Sequence, residues 1–233
     1  MISIILPALN EGENLKKLIP KISKVLKKEK FEIIIIDDNS TDGTYKIVKK
    51  MEKDYNIKYI LRTKEKGLSS AVIEGFKNAK GNILVVMDSD LSHPPEVIPE
   101  LISKTKKNSD IVVASRYIEG GGVVKWPLPR KFISVFATFL AKPLVKVKDP
   151  LAGFFCLKRK VIENAVLNPI GFKILLEILV KGNHKKVSEI PYMFQKRYAG
   201  KSKADVHIYL QYNLHLLKLY FYKIKLFFKR VLK

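Results

Sequence analysis

The chain has 233 residues, and its 44 Lys+Arg against 22 Asp+Glu give a formal charge of +22. An apolar share of 47% is ample for a buried core and excludes a disordered chain, which lacks the apolar surface to offset its ordering entropy. A single cysteine, Cys156, excludes a disulfide framework and any cysteine-based zinc cluster. Met1 runs straight into Ile2-Ser3-Ile4-Ile5-Leu6 with no charged, apolar and small-residue leader, so a cytoplasmic location is the expectation. The longest clean apolar run, residues 132–141, falls well short of the roughly 20 residues that span a bilayer, so no transmembrane helix is expected. A charge of this size needs anionic company: nucleic acid, phosphate-bearing substrates or an anionic membrane face.

In chain order, short β-branched runs alternate with longer amphipathic ones. Residues 2–6, 32–37, 57–61, 82–87 and 110–114 are rich in Ile and Val and read as buried strands. Residues 14–28 carry Leu15, Leu18, Ile19, Ile22 and Val25 at helical spacing, and 68–78 behaves alike. This alternation predicts an α/β fold with a mainly parallel sheet flanked by helices, and ligands beyond the carboxyl ends of its strands. From about Gly120 the character changes. Gly120-Gly121-Gly122 connects to an apolar stretch with basic ends at 131–147, and Gly153-Phe154-Phe155-Cys156-Leu157 is strand-like, with Cys156 most simply in the core. Residues 206–233 place Leu210, Leu214, Leu217, Phe221, Ile224, Phe228 and Val231 in one helical stripe. No acidic residue follows Asp205, whereas Lys218, Lys223, Lys225, Lys229, Arg230 and Lys233 do, which suits a helix lying on anionic lipid. A helix packed on its own domain, or a coiled coil, would show a similar stripe.

Polar residues gather where strands end. Asn10-Glu11 follows the first strand, Asp37-Asp38-Asn39-Ser40-Thr41-Asp42 the second, and Asp88-Ser89-Asp90-Leu91-Ser92-His93 the fourth. Ordinary turn chemistry accounts for Asp42-Gly43-Thr44 as well as any function does. Asp88 and Asp90 repel one another unless a cation sits between them, which marks a divalent-metal site of hard oxygen ligands. Arg116, Arg130, Arg197 and Lys203 stand beside turn-like segments, as phosphate-binding cations would. The loop from Arg197 to Lys203 has the Gly and Ser content of a lid. His93 reads as a loop hydrogen-bonder rather than a base, and no other general base stands out.

Three ordered motifs, Pro7-Ala8-Leu9-Asn10-Glu11, Asp37-Asp38-Asn39-Ser40 and Asp88-Ser89-Asp90, resemble those of inverting family 2 glycosyltransferases of the GT-A fold. Lys66-Gly67-Leu68-Ser69-Ser70-Ala71, residues 88–96, Trp126-Pro127 with Arg130-Lys131, residues 149–155 and residues 167–173 narrow the likeness to the dolichyl-phosphate mannose synthases. The likeness runs over residues 1–203, implying a catalytic domain there and a basic amphipathic helix at 204–233. It implies that Pro7, Leu9, Glu11, Ile36 and Asp38 hold the nucleoside of GDP-mannose, although Leu9 stands where the family usually has Tyr. Asp88, Asp90 and Ser92 would surround Mg²⁺ or Mn²⁺ and the sugar diphosphate, with Ser92 where many relatives have Gln. Arg116, Arg130 and Ser134 would grip the phosphate of dolichyl phosphate, and Arg197 and Lys203 would close over the donor; Asp90, Arg116 and Arg130 are the implied catalytic residues.

The segment at about 128–147 and the C-terminal helix would be interfacial helices at the cytoplasmic face of a membrane. Short forms of this kind depend on small membrane subunits, so an anchoring subunit is an implied partner. The nearest alternative is the same chemistry with UDP-glucose, and another family 2 activity with a hydroxyl acceptor would require a base. A nucleic-acid partner is not expected, because an acidic crevice would repel phosphates and no nucleic-acid motif is present.

Overall fold

The computed structural model describes residues 1–64, 67–199 and 206–231, with backbone alone at 206–208 and 230. In chain order it runs β1 (Ile2–Ala8), α1 (Gly12–Val25), β2 (Phe31–Asp37), α2 (Thr44–Met51), β3 (Ile57–Leu61), α3 (Leu68–Asn78) and β4 (Ile83–Val86). There follow α4 (Ile98–Lys107), β5 (Ile111–Ser115), β6 (Gly122–Val123), α5 (Leu128–Ala141), β7 (Phe155–Lys158), α6 (Ile174–Lys181), β8 (Val187–Pro191), β9 (Met193–Phe194) and α7 (Val206–Val231). Among the described residues seven strands form one sheet in the order β3-β2-β1-β4-β7-β5-β8, and β6 pairs with β9 beside it. All neighbours in the large sheet are parallel except β7, which runs antiparallel between β4 and β5. The expected mainly parallel α/β sheet is therefore what forms. The expected strands are present, β1 and β2 longer by one or two residues, β4 shorter by one at each end and β5 shifted by one, while α2 and α4 are helices that the apolar pattern does not single out.

Helices cover both faces, so the central strands read as unbroken apolar runs rather than alternating ones. Side chains still alternate between two cores. Ile4, Leu6, Ile33, Ile35 and Cys156 pack with Leu15, Leu18 and Ile19 of α1 and Leu101 of α4. Ile5, Ile34, Ile36 and Leu157 pack with Val72 and Phe76 of α3 and Leu175 and Ile178 of α6. Burial pushes the Cys156 thiol up to about 12, which keeps it an inert core residue.

The approach of α3 to the sheet depends on Gly75. A Cβ there would lie 2.5 Å from Ile5 Cγ2 and 2.9 Å from Ile36 Cδ1. Gly75→Val should therefore destabilise the protein by about 1–3 kcal/mol through overpacking, seen as a lower denaturant midpoint at unchanged slope. A midpoint equal to wild type would show that α3 can shift without cost.

A third core joins the late helices. Ala141, Leu144, Leu151 and Leu176 pack against Tyr212, Leu216 and Leu219 of α7. The Tyr212 and Tyr220 hydroxyls donate to the Ala137 and Leu140 carbonyls of α5 at 2.6 and 2.7 Å, and Lys223 reaches the Leu144 carbonyl. The Leu140 carbonyl is one that the end of α5 leaves open. Glu177 of α6 is fully buried, accepts from Lys181 at 2.5 Å, and lies 3.4 Å from His215 of α7.

Candidate active site

Chain order along the sheet reverses between β1 and β4, since β2 and β3 lie on one side of β1 and β4 on the other. A crevice opens at such a switch point, beyond the strands' carboxyl ends. The loops after β1 and β4 meet there, joined by the Ser89 hydroxyl, which donates to the Pro7 carbonyl at 2.8 Å. Leu91 holds φ 65°, a left-handed conformation uncommon for a bulky residue. That turn lets the Ser92 N–H and hydroxyl both donate to Asp90 Oδ1, at 2.9 and 2.6 Å. Ser92 is 1% exposed, so its hydroxyl faces Asp90 from within the loop. His93 Nδ1 accepts from the Asp88 N–H at 2.9 Å, its ring stacks on Phe154, and burial holds its pKa below the usual histidine range. A neutral, buried ring bonded to backbone is a positioned loop residue, with its remaining nitrogen 3.7 Å from Asp88 Oδ2.

The acidic residues after β2 are already committed to the fold. Asp37 accepts from Tyr59 and from the Ser40 N–H and hydroxyl. Asp42 accepts from Thr44 and from the Gly12 N–H, so its turn is the local chemistry that Asp and Thr provide. Asp38 takes Nε and Nη2 of Arg62 at 2.7 and 2.5 Å and the Gly67 N–H at 2.8 Å. Ile36, expected to hold the nucleoside, is instead fully buried in the core beneath them and lines neither of the cavities described below.

The cations divide between rigid and tethered ones. Arg116 is 8% exposed and forms a two-toothed pair with fully buried Asp149, Nε to Oδ2 and Nη2 to Oδ1, both at 2.8 Å; its backbone N–H also donates to Oδ2. Arg130, at the start of α5, lies 4.2 Å from the Trp126 ring centroid, and Arg116 lies 5.6 Å from the same ring. Burial, Arg197 and Arg116 together pull the Arg130 pKa below its ordinary value, as expected where several cations face one cavity. Ser134 accepts from the Tyr117 hydroxyl at 2.7 Å. Arg197 Nη2 lies 2.9 Å from Asp90 Oδ2 and Nη1 3.6 Å from Glu11 Oε1. Its segment is pinned by Gln195 N–H to Ser92 O, Tyr198 N–H to Asp90 O, and paired bonds between Asn14 and Ala199. Lys203, and with it the end of the expected lid, lies outside the described residues.

These groups line two adjoining cavities. One, of about 540 Å³, is walled by Pro7, Leu9, Glu11, Asp38, Ser70 and Gln211. The other, of about 230 Å³, is walled by Arg116, Trp126, Arg130, Ser134, Lys173 and Tyr212. Asp88, Asp90 and Arg197 belong to both. Burial pushes the Asp88 carboxyl above its usual range, His93 partly offsetting this and Asp90 adding to it. Two carboxylates so placed fit a hard divalent ion, which would relieve that penalty. Among the described residues no cluster of three or more His, Cys, Asp or Glu forms, so such an ion would complete its shell with substrate oxygens and water. Arg62, Asp149, Trp126 and Lys173 are among the site residues to which sequence reasoning assigns no role. Trp126, Asp149 and Lys173 do stand within the motifs at 126–131, 149–155 and 167–173.

Helices α5 and α7, which both contribute to the smaller cavity, carry an unusual surface on their outer sides. Phe132, Val135, Phe136 and Phe139 of α5 are 54–73% exposed. So is every member of the apolar stripe of α7: Leu210, Leu214, Leu217, Phe221, Ile224, Phe228 and Val231 are all at least half exposed. The helix packs on the protein through a different face, while Tyr209 and Tyr212 line the small cavity and Gln211 the large one. Among the described residues no helix is long and apolar enough to cross a membrane.

Residues 3–167 match the family model described as glycosyl transferase family 2. A Pyrococcus furiosus protein named dolichol-phosphate mannosyltransferase is 48% identical over 222 residues, which cover 94% of this chain and 63% of that one. Proteins of the same name from Mycosarcoma maydis and Saccharomyces cerevisiae are each 40% identical, over 94% and 95% of this chain and 78% and 87% of theirs. Thus the chain spans just under two thirds of the archaeal relative and most of the fungal ones. Among solved structures, Mycobacterium tuberculosis glucosyl-3-phosphoglycerate synthase superposes with a TM-score of 0.69 at 21% identity, over 94% of this chain and 80% of that one. That enzyme has also been crystallised with Mn²⁺, UDP and phosphoglyceric acid, and its likeness to this chain is one of fold. The sheet and crevice described above are thus a GT-A fold, and the chain belongs to glycosyl transferase family 2.

Proposed function

We propose that this protein transfers mannose from GDP-mannose to dolichyl phosphate with inversion, giving dolichyl β-D-mannosyl phosphate and GDP. The observation that carries the reading is the meeting of the two cavities at Asp88 and Asp90, with Arg116 and Arg130 lining the smaller one. The relatives' shared name agrees with it. The larger cavity would take the donor nucleotide against Pro7, Leu9, Glu11 and Asp38, with Arg197 and Lys203 over the diphosphate. The smaller would take the acceptor phosphate against Arg116, Arg130 and Ser134.

An acceptor phosphate is already ionised near neutral pH, so its attack needs no general base. Its oxygen would form the new bond to the anomeric carbon as the bond to the nucleoside diphosphate breaks on the opposite side. Asp88 and Asp90, with Ser92 beside them, would hold Mg²⁺ or Mn²⁺, which supplies Lewis-acid charge to the leaving diphosphate. The arginines' task is to hold two anions within reaction distance. On this reading residues 1–203 carry the catalysis, and 204–233 rest with α5 on the cytoplasmic face of a membrane, beside a small anchoring subunit. The exposed stripe and its basic neighbours support that placement.

Radiolabel from GDP-mannose, but not from UDP-glucose, should enter the organic phase when dolichyl phosphate and a divalent ion are supplied in detergent. Transfer from UDP-glucose alone would keep the acceptor and change the donor; transfer from neither, with native membranes added, would overturn the reading.

A further inference from the structure

Lys173 stands immediately before α6, and its ammonium reaches the acceptor-side cavity. It donates to the Leu151 carbonyl at 3.0 Å and sits 4.3 Å from the Phe172 ring centroid. An ammonium carries three N–H donors. Among the described residues no carboxylate forms an ion pair with this one, so two donors remain for whatever enters the cavity. Burial pulls its pKa down to about 7, and the nearby positive charge of Arg116 adds to the fall, while Asp149 and Asp88 oppose it. A lysine placed among guanidinium groups is costly while the cavity holds only water. The arrival of a phosphate reverses the balance, because the same closeness then becomes attraction.

We propose that Lys173 is a third basic ligand of the acceptor phosphate, acting beside Arg116 and Arg130. The three cations reach the cavity from separate elements: the end of β5, the start of α5 and the start of α6. Convergence from three elements fixes the phosphate in position as well as neutralising it, which an in-line displacement requires. Lysine differs from the two arginines in its role, since a compact ammonium can follow one oxygen as charge moves while the forks hold the others. The inference deepens the acceptor reading above and rests on it.

Initial rates would be measured for wild type, Lys173→Met and Lys173→Arg with GDP-mannose and a short polyprenyl phosphate, each varied in turn. Affinity for GDP in the presence of Mn²⁺ would be measured separately by calorimetry, and melting temperature would accompany each variant. Lys173→Met should raise the acceptor KM by roughly tenfold or more, the loss expected for one charge-assisted hydrogen bond. Its GDP affinity should stay within about twofold of wild type, and Lys173→Arg should recover much of the acceptor KM. An unchanged acceptor KM, or an equal loss of GDP affinity, would overturn the inference. So would two variants equally impaired and equally lowered in melting temperature, since that marks support of the Leu151 loop instead. A wild-type protein that transfers nothing would sink the functional reading and this inference with it, whereas an active wild type and an unaffected Lys173→Met sink this inference alone.

Discussion

Replacing Asp90 with alanine should lower the transfer rate by at least about a thousandfold, the equivalent of roughly 4 kcal/mol in the barrier. Two losses combine. Asp90 Oδ2 faces the junction of the cavities and pairs with Arg197, while Oδ1 organises the loop through Ser92. Asp90→Asn separates them, since an amide oxygen can still accept from Ser92 but brings no negative charge. Both variants should lose Mn²⁺ binding, measured by paramagnetic resonance of the free ion, and both should melt within a few degrees of wild type. If Asp90→Asn kept its activity and its Mn²⁺, the metal assignment would be refuted, and the effect of alanine would belong to the loop.

Asp149→Ala should cost more stability than any other single change in the site. Asp149 is fully buried and receives the Nε–Nη2 edge of the Arg116 guanidinium and its backbone N–H. Removing one partner of such a pair leaves a guanidinium uncompensated in the interior, a loss of about 3–5 kcal/mol. For a domain of this size that is a fall of roughly 6–20 °C in melting temperature. Activity should fall too, because Arg116 loses the carboxylate that aims it at the cavity. Pairing Asp149→Ala with Arg116→Met should restore much of the stability and none of the activity. A single variant as stable as wild type would show that water or another group readily replaces the carboxylate.

The sequence was most informative where one physical demand dominates. Five strands announce themselves because sheets covered on both faces need unbroken Ile and Val runs, and the site loops because they follow those runs. Helix α2, TYKIVKKM, is short and three of its eight residues are lysine, so its period is too sparse to stand out; α4 is similar. Partnerships across long separations were the other gap. Nothing near Asp38 points to Arg62, and Asp149 before Pro150 looks like a turn residue until β5 brings Arg116 against it. The C-terminal stripe was visible at its correct spacing, but the face that packs is the neighbouring one, where Tyr212 and His215 disguise an inward surface as a polar one. One side of that helix thus packs on its own domain, while the stripe that suggests a lipid-facing helix lies exposed on the other.

That two-sidedness has a kinetic meaning. Arg130 and Ser134, two of the α5 residues that line the cavity, are four apart, and Phe132 and Phe136 repeat the same interval on the outside. If the outer row settles on lipid, the cavity mouth lies at the surface, and a polyisoprenoid can present its head without its tail ever entering water. Its supply is then counted per unit area of bilayer, not per volume of solution. Encounter becomes a lateral search in two dimensions, and diluting the lipid slows the enzyme even when the amount of acceptor in the tube is unchanged.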